Sequence, residues 1–287
     1  MLKKSQDWLD KQPIWLQGIV IISLVFVIRT FGFGLYQVPT GSMETTLLVG
    51  ERFFADKLTV WFSPIQRGEI IAFNDPNFPY ADDMVTNLWQ RYVWGPSNWT
   101  KRVIGIPGDH IEGKIEDGKP VVYRNGEKLD EPYLNKYPLV YAYTQLPNVQ
   151  SLKLFSDARV MPFSFDPNIP WSQWSQQPLY GKAVQRTQLI LDKPQQFPIL
   201  EPGTPLEFDV FDVTLGENQY WAMGDNRLGS WDSRGWKILD GKLIHGRIKF
   251  CIFSLDSLQG WWIVDLLLHP IDFWKQVRWN RCLKFVS

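Results

Sequence analysis

The chain has 287 residues, of which 45% are apolar and 21% charged, a composition typical of a folded protein rather than a disordered one. Thirty basic and thirty acidic side chains cancel. Because nucleic-acid-binding proteins usually present a basic surface, we expect no nucleic-acid partner. The two cysteines, Cys251 and Cys282, are too few for a disulfide framework or a four-thiolate metal site. The sequence leaves open whether they form a single bridge.

A hydrophobic segment follows the polar residues 1–13. Residues 14–36 are mostly apolar, and about 20 such residues span the hydrocarbon core of a bilayer, so we predict a transmembrane anchor here. Arg29 interrupts the segment and is expected near an interface, where its charge reaches water. A cleaved signal peptide is the alternative, but no small-residue cleavage site follows the apolar core. Lysines in the N-terminal tail predict that it is cytoplasmic and that the remainder lies across the membrane, in the periplasm or a lumen.

The first candidate motif is Val-Pro-Thr-Gly-Ser-Met at residues 38–43, directly after the anchor. Pro39 restricts the backbone and Gly41 relaxes it, so this segment is predicted to be a shaped turn. A serine in such a turn acts as a nucleophile only when a base takes its proton. Taken alone, Ser42 fits an ordinary turn at least as well.

The second motif, Lys-Arg-Val-Ile-Gly-Ile-Pro-Gly-Asp at residues 101–109, offers a candidate base in Lys101. A lysine with its usual pKa near ~10.4 is protonated at neutral pH and is no base. It becomes one only where burial disfavours the ammonium form. A strand containing Val103 and Ile104 is a place where such burial is expected, and a solvated lysine at a strand start is the alternative.

The third motif is Gly-Asp-Asn-Arg-Leu-Gly-Ser-Trp-Asp-Ser-Arg at residues 224–234. We predict ion pairs between Asp225 and Arg102 and between Asp232 and Arg234. The alternative is a polar turn with surface ion pairs, each contributing less than ~1 kcal/mol.

In this order, after one membrane-length segment, the three motifs resemble those of the type I signal peptidases, which are membrane-anchored serine proteases with a Ser-Lys dyad. The resemblance covers roughly residues 14–134 and 205–250. It implies that Ser42 is the nucleophile and Lys101 the general base. It further implies an oxyanion hole formed by the Thr40 hydroxyl and the Ser42 backbone N–H.

The resemblance also implies a supporting group of residues around the dyad. Ser230 would hydrogen-bond the lysine and aim it at the nucleophile. The residues implied to support the site structurally are Met43, Arg102, Asp225, Asp232 and Arg234. No metal ion and no cofactor is implied.

The chain departs from the family pattern at several positions. Thr45 stands where the usual Ser-Met-x-Pro-Thr-Leu pattern has proline, and Thr40 stands at the position of a common serine. Glu69 replaces an aspartate, and Lys237 stands where the family tends to have glycine after a tryptophan. The missing proline affects the expected rigidity of the turn rather than its chemistry.

Short apolar segments bounded by Gly and Pro predict a mostly β protein. The resemblance implies a catalytic domain of coiled antiparallel sheets, one N-terminal transmembrane helix and a β-rich inserted cap. Asn125-Gly126 predicts a hairpin, whereas residues 74–100 are predicted to be an irregular loop. The expected divisions are a cytoplasmic tail (1–13), an anchor (14–36), a catalytic core (37–134 and 205–256), an inserted cap (135–204) and an aromatic, basic tail (257–287). This last segment is too short to span a bilayer, and either lies in a membrane interface or packs on the domain.

The resemblance implies an activity: removal of N-terminal signal peptides from exported preproteins by cleavage after small residues of the Ala-x-Ala type. The alternatives are another Ser-Lys processing protease, such as a pilus or conjugation peptidase, or an inactive membrane-anchored binding scaffold. His110, His245 and His269 lie outside the motifs and outside metal-ligand spacings, so a Ser-His-Asp triad has no sequence support.

Overall fold

A computed structural model describes residues 12–48, 50–93, 95–135, 139–140, 199–200, 203–255, 262–275 and 277–286. Nearly all of the predicted cytoplasmic tail and of the predicted cap therefore lies outside the described residues. The α-helices are α1 (Ile14–Val27), α2 (Met84–Tyr92), α3 (Ser233–Trp236), α4 (Trp262–Leu268) and α5 (Pro270–Lys275). The strands are β1 (Phe33–Gln37), β2 (Glu51–Asp56), β3 (Ile70–Asn74), β4 (Asn98–Gly105), β5 (His110–Glu116), β6 (Lys119–Arg124), β7 (Glu127–Lys128), β8 (Leu139–Val140), β9 (Ile199–Leu200), β10 (Phe211–Thr214), β11 (Gln219–Met223), β12 (Leu239–Asp240), β13 (Ile244–Ser254) and β14 (Lys284–Phe285).

The N-terminal apolar segment is helical up to Gly32. Helix α1 continues into a π-helical turn over Ile28–Gly32, and the combined 19 residues are long and apolar enough to cross a membrane. The helical part ends four residues before the predicted limit at Tyr36. Residues 33–36 belong instead to strand β1, because they pair antiparallel with β2.

Antiparallel sheets make up most of the remaining described structure, which confirms the mostly β prediction. The larger sheet has the order β1-β2-β13-β3-β4-β11-β12, with β14 added to β13. The smaller sheet has the order β10-β5-β6-β7, and β8 pairs with β9 separately. Register irregularities interrupt the pairing of the long strand β13 with both neighbours, and such irregularities bend a strand and let a sheet curl.

Alternating side chains build an apolar core on both faces of the larger sheet. Phe53 and Ala55 of β2 and Ile70 and Ala72 of β3 lie in one cluster. The residues that alternate with those of β3, namely Ile71 and Phe73, belong to a second cluster with Val103 of β4. Because β3 and β4 are covered on both faces, polar side chains on these strands are also removed from water.

The loop predicted over residues 74–100 is wrong in part, since this region contains α2 and the start of β4. Asp83 caps the helix by accepting a hydrogen bond from the Thr86 backbone N–H at 2.8 Å, as N-cap aspartates do. The apolar residues Met84 and Val85 are largely exposed. The segment therefore lacks the buried stripe by which a helix is usually recognised in a sequence.

Two turns depend on unusual backbone angles. Asn125 and Gly126 have φ angles of 54° and 81° and connect β6 to β7, which confirms the predicted hairpin. Lys237, at the position where the family tends to have glycine, has a φ of 77°. Glycine adopts this positive φ angle more readily than a residue with a side chain does.

The C-terminal residues combine packed and exposed parts. Phe273 of α5 is buried against Leu255 and Val277. Other large apolar side chains of α4 and α5 are exposed. Cys251 and Cys282 are both free thiols, so the bridge that the sequence leaves open is not formed.

Candidate active site

Ser42 lies in a single 3-10 turn formed by Gly41–Met43. The Met43 side chain is buried in the same core cluster as Leu47, and the Leu47 backbone N–H donates to the Met43 carbonyl at 2.9 Å. A Cβ atom at Gly41 would lie 2.6 Å from the Glu44 carboxylate, so only glycine fits without moving that buried side chain. The conformation of the turn therefore depends on the glycine at position 41 and on the packing of Met43 in the core.

Lys101 lies within strand β4 and is only 4% exposed. Its Nζ atom is 3.0 Å from Ser42 Oγ and 3.1 Å from the Thr100 carbonyl oxygen. The Trp99 ring covers the amine, with 5.8 Å between Nζ and the ring centroid. Ser42 is likewise buried, so the fold brings the two residues together in hydrogen-bond contact across 59 positions of sequence.

Asn226 holds the serine turn from the side of the third motif. Its side-chain Nδ2 donates to the Gly41 carbonyl at 2.9 Å, and its backbone N–H donates to the Ser42 carbonyl at 3.1 Å. The residue is buried. In the sequence, only the place of Asn226 inside the third motif points to a role in the site.

Arg102 and Asp225 form a buried ion pair next to the dyad. The guanidinium donates through Nε and Nη2 to the two carboxylate oxygens at 2.9 and 2.8 Å, a bidentate geometry that fixes both partners. Asp225 also accepts a hydrogen bond from Thr46 Oγ1 at 2.5 Å. The pair therefore connects the residue after Lys101 to the segment after Ser42.

A second ion-pair group braces the third motif. Arg234 is fully buried and donates to Asp232 at 2.8 Å and to Asp209 at 2.7 Å. Burial alone would raise the pKa of Asp232, but the hydrogen bonds and charge of Arg234 hold it below its usual value. Asp209 belongs to no predicted motif and was missed for that reason.

Two other predicted site residues lie near the turn without the expected contacts. Thr40 directly precedes the turn and is exposed, and its hydroxyl makes no hydrogen bond within the described part of the chain. Ser230 is buried, but its Oγ has no hydrogen-bond partner among the described residues. The predicted bond from Ser230 to Lys101 is therefore not made, since Lys101 Nζ contacts Ser42 and a backbone carbonyl instead.

A cavity of about 720 Å³ lies at the end of the apolar helix, and its lining does not include Ser42 or Lys101. It extends from the end of α1 to Tyr36 of β1 and Asn98, three positions before Lys101 on β4. His245 lies on its wall, with Nδ1 3.2 Å from the Tyr36 hydroxyl. Burial and the charge of Lys57 lower the pKa of His245 to about 3, so the imidazole is neutral in the physiological range.

One group of potential metal ligands lies away from the dyad. The ligand atoms of His110, Glu112 and Asp212 are within 4.8 Å of one another because β10 pairs with β5. His110 Nε2 is 2.6 Å from Asp212, and Lys114 forms an ion pair with Glu112 at 2.9 Å. His110 and Glu112 are partly buried and Asp212 is exposed. All three already have partners, and we assign them no metal.

A family model described as "Signal peptidase, peptidase S26" matches residues 13–253, well over half of the chain. The chain belongs to the signal peptidase family. The match includes all three motifs and the strands that carry them.

Several signal peptidases are similar to the chain along most of its length. Signal peptidase I S of Bacillus subtilis (strain 168) is 26% identical over 260 residues, covering 89% of this chain and 98% of the relative. A probable signal peptidase I-2 of a Synechocystis strain is 30% identical over 183 residues, covering 63% and 74% respectively. A crystal structure of a signal peptidase I from Enterococcus faecalis V583 covers 65% of this chain and 97% of that chain, with 22% identity and a TM-score of 0.29.

Membership in the signal peptidase family identifies the enzyme class. The chain is a serine endopeptidase, and its substrates are preproteins from which it removes signal peptides. This confirms the predicted removal of signal peptides and disfavours the inactive scaffold.

Proposed function

We propose that this signal peptidase works through a Ser42–Lys101 dyad. The observation that carries the proposal is the 3.0 Å separation between Ser42 Oγ and Lys101 Nζ, with both side chains buried. Removing an ammonium group from water favours its neutral form, and only the neutral amine accepts a proton from serine. Arg102 cannot take this role because a guanidinium does not lose its proton at physiological pH.

In the proposed reaction Lys101 takes the proton of Ser42 as Oγ attacks the carbonyl carbon at the end of the signal peptide. The Thr40 hydroxyl and the Ser42 N–H donate to the resulting oxyanion, and each such donor contributes about 10²- to 10³-fold in rate. Lys101 then protonates the leaving amine of the mature protein. Water, deprotonated by the same lysine, hydrolyses the Ser42 ester and releases the signal peptide.

We propose that the cavity at the end of the apolar helix receives part of the signal peptide. It is lined by residues of the helix and by Tyr36 and Asn98, but not by Ser42 or Lys101. This position suits a substrate that emerges from a bilayer. We propose that small residues at the first and third positions before the cut are selected because larger side chains do not fit.

We further propose that residues 14–32 anchor the enzyme in a membrane, with the N-terminus in the cytoplasm and the catalytic domain in the periplasm or a lumen. The unburied, apolar helix supports this placement. Phe31 near its end contacts Trp61 and Tyr92, with ring centroids 6.1 and 5.9 Å apart, and aromatic side chains favour the membrane interface. The exposed apolar face of α4 and α5 is a second proposed lipid contact.

A cleavage assay with matched substrates tests the proposed function. The purified full-length enzyme in detergent is expected to cut a preprotein with alanine at the first and third positions before the boundary, giving one mature N-terminus by mass spectrometry. A matched preprotein with tryptophan at the first position should remain uncut. Equal cleavage of both substrates, or cutting at scattered sites, would count against the proposed specificity.

A further inference from the structure

The C-terminal tail reaches back to the segment that follows the nucleophile. The family match ends at residue 253, and Arg281 lies 28 positions beyond that point in the sequence. Its Nη2 atom is 2.8 Å from the Thr46 carbonyl and 3.5 Å from the Thr45 carbonyl. The same guanidinium forms an ion pair with Glu51 through Nε.

Glu51 is fully buried and has further polar contacts. Its carboxylate accepts hydrogen bonds from the Leu48 backbone N–H at 2.8 Å and from Ser254 Oγ at 2.9 Å. Arg281 and Glu51 therefore hold backbone groups at both ends of residues 45–48. The Thr46 hydroxyl of the same segment donates a hydrogen bond to Asp225.

We propose that Arg281 is a positioning residue for Ser42, an inference that rests on the proposed Ser-Lys function. The turn carrying Ser42 is continuous with residues 45–48, so movement of this segment changes the alignment of Ser42 Oγ with Lys101 Nζ. Displacements on the order of 1 Å cost catalysts up to about 10²-fold in rate. The guanidinium suits this task because its fork of donors can serve a carboxylate and two carbonyls together.

The proposal explains how the turn stays ordered although Thr45 stands where the family pattern has proline. Proline restricts the backbone covalently, whereas here Arg281 restricts it through the carbonyls of residues 45 and 46. Within the described residues the Thr45 backbone N–H donates no hydrogen bond. A proline at that position would therefore remove no existing bond.

The test compares kcat and KM for preprotein cleavage by the full-length enzyme. Arg281→Ala is expected to lower kcat about tenfold or more while KM changes little, because the substrate cavity is not lined by Arg281. Adding Thr45→Pro should restore most of the lost kcat, and Thr45→Pro alone should change little. Lys284→Ala is the matched control, since it removes a positive charge from the same tail at an exposed position.

The inference is overturned if Arg281→Ala keeps the kcat of the wild type, if Lys284→Ala loses as much, or if Thr45→Pro fails to restore activity. Thermal unfolding confirms that each variant is folded at the assay temperature. Should Arg281→Ala not fold, Arg281→Lys carries the same test, because one ammonium cannot replace the planar fork. An inactive wild type would contradict the proposed function, whereas an active wild type with an unimpaired Arg281→Ala contradicts this inference alone.

Discussion

Replacing Lys101 with alanine is expected to reduce preprotein cleavage to background, at least about 10³-fold below the wild type. No other titratable side chain among the described residues hydrogen-bonds Ser42 Oγ, which lies 3.0 Å from Lys101 Nζ. Without that amine the hydroxyl keeps its proton and is a weak nucleophile. Lys101→Arg is expected to be equally inactive because a guanidinium cannot act as a base.

Initial rates for a preprotein of the Ala-x-Ala type measure this effect. Lys119→Ala, which removes an exposed lysine from strand β6, is the control and should retain full activity. Thermal unfolding separates lost chemistry from lost structure. Retention of a tenth or more of the wild-type rate by Lys101→Ala would exclude it as the general base.

The largest loss of stability is expected for Arg234→Ala. This change leaves the Asp232 and Asp209 carboxylates buried without the guanidinium that both now contact, and breaking a buried ion pair costs about 3–5 kcal/mol. For a domain of this size we expect the thermal midpoint to fall by about 10 °C.

The loss should also depend on pH. In the wild type the lowered pKa of Asp232 contributes stability that is present above the unfolded-state pKa of about 3.9 and is lost as the pH falls. In Arg234→Ala the pKa of this carboxylate is expected to rise, because burial is no longer offset by the guanidinium and the Gly224 backbone N–H offsets it only in part. The difference between variant and wild type should therefore be larger at pH 8 than near pH 4.

Differential scanning calorimetry at several pH values follows both effects. Lys128→Ala, which breaks the exposed ion pair with Glu116, is the control and should leave the midpoint nearly unchanged. A midpoint for Arg234→Ala within the error of the wild type would show that this buried group does not stabilise the fold.

Motif residue types predicted the centre of the site better than its supports. The resemblance of the three ordered motifs to the type I signal peptidases points to Ser42 and Lys101, whereas a turn serine or a strand lysine alone fits ordinary structure equally well. The fold places Lys101 Nζ 3.0 Å from Ser42 Oγ. The sequence does not point to Arg281, because this residue contacts backbone carbonyls and Glu51. Every residue has a backbone carbonyl, so such a contact leaves no pattern in the sequence and forms only when the tail folds back.

Local patterns also succeeded or failed for physical reasons. Asn125-Gly126 predicted its hairpin because few residue pairs adopt the positive φ angles of a tight turn. Helix α2 escaped prediction because its apolar side chains are exposed instead of forming a buried stripe. The predicted bond of Ser230 required the orientation of one hydroxyl, which the packing of the surrounding chain determines.

The Ser-Lys mechanism is tested most directly by mass spectrometry of the enzyme after acid quench during the first turnover of a preprotein. We predict an ester of the signal peptide on the proteolytic fragment that contains Ser42, formed by the wild type and absent from Ser42→Ala. Hydrolysis at the wild-type rate by Ser42→Ala, or an acyl group on a different residue, would contradict the mechanism.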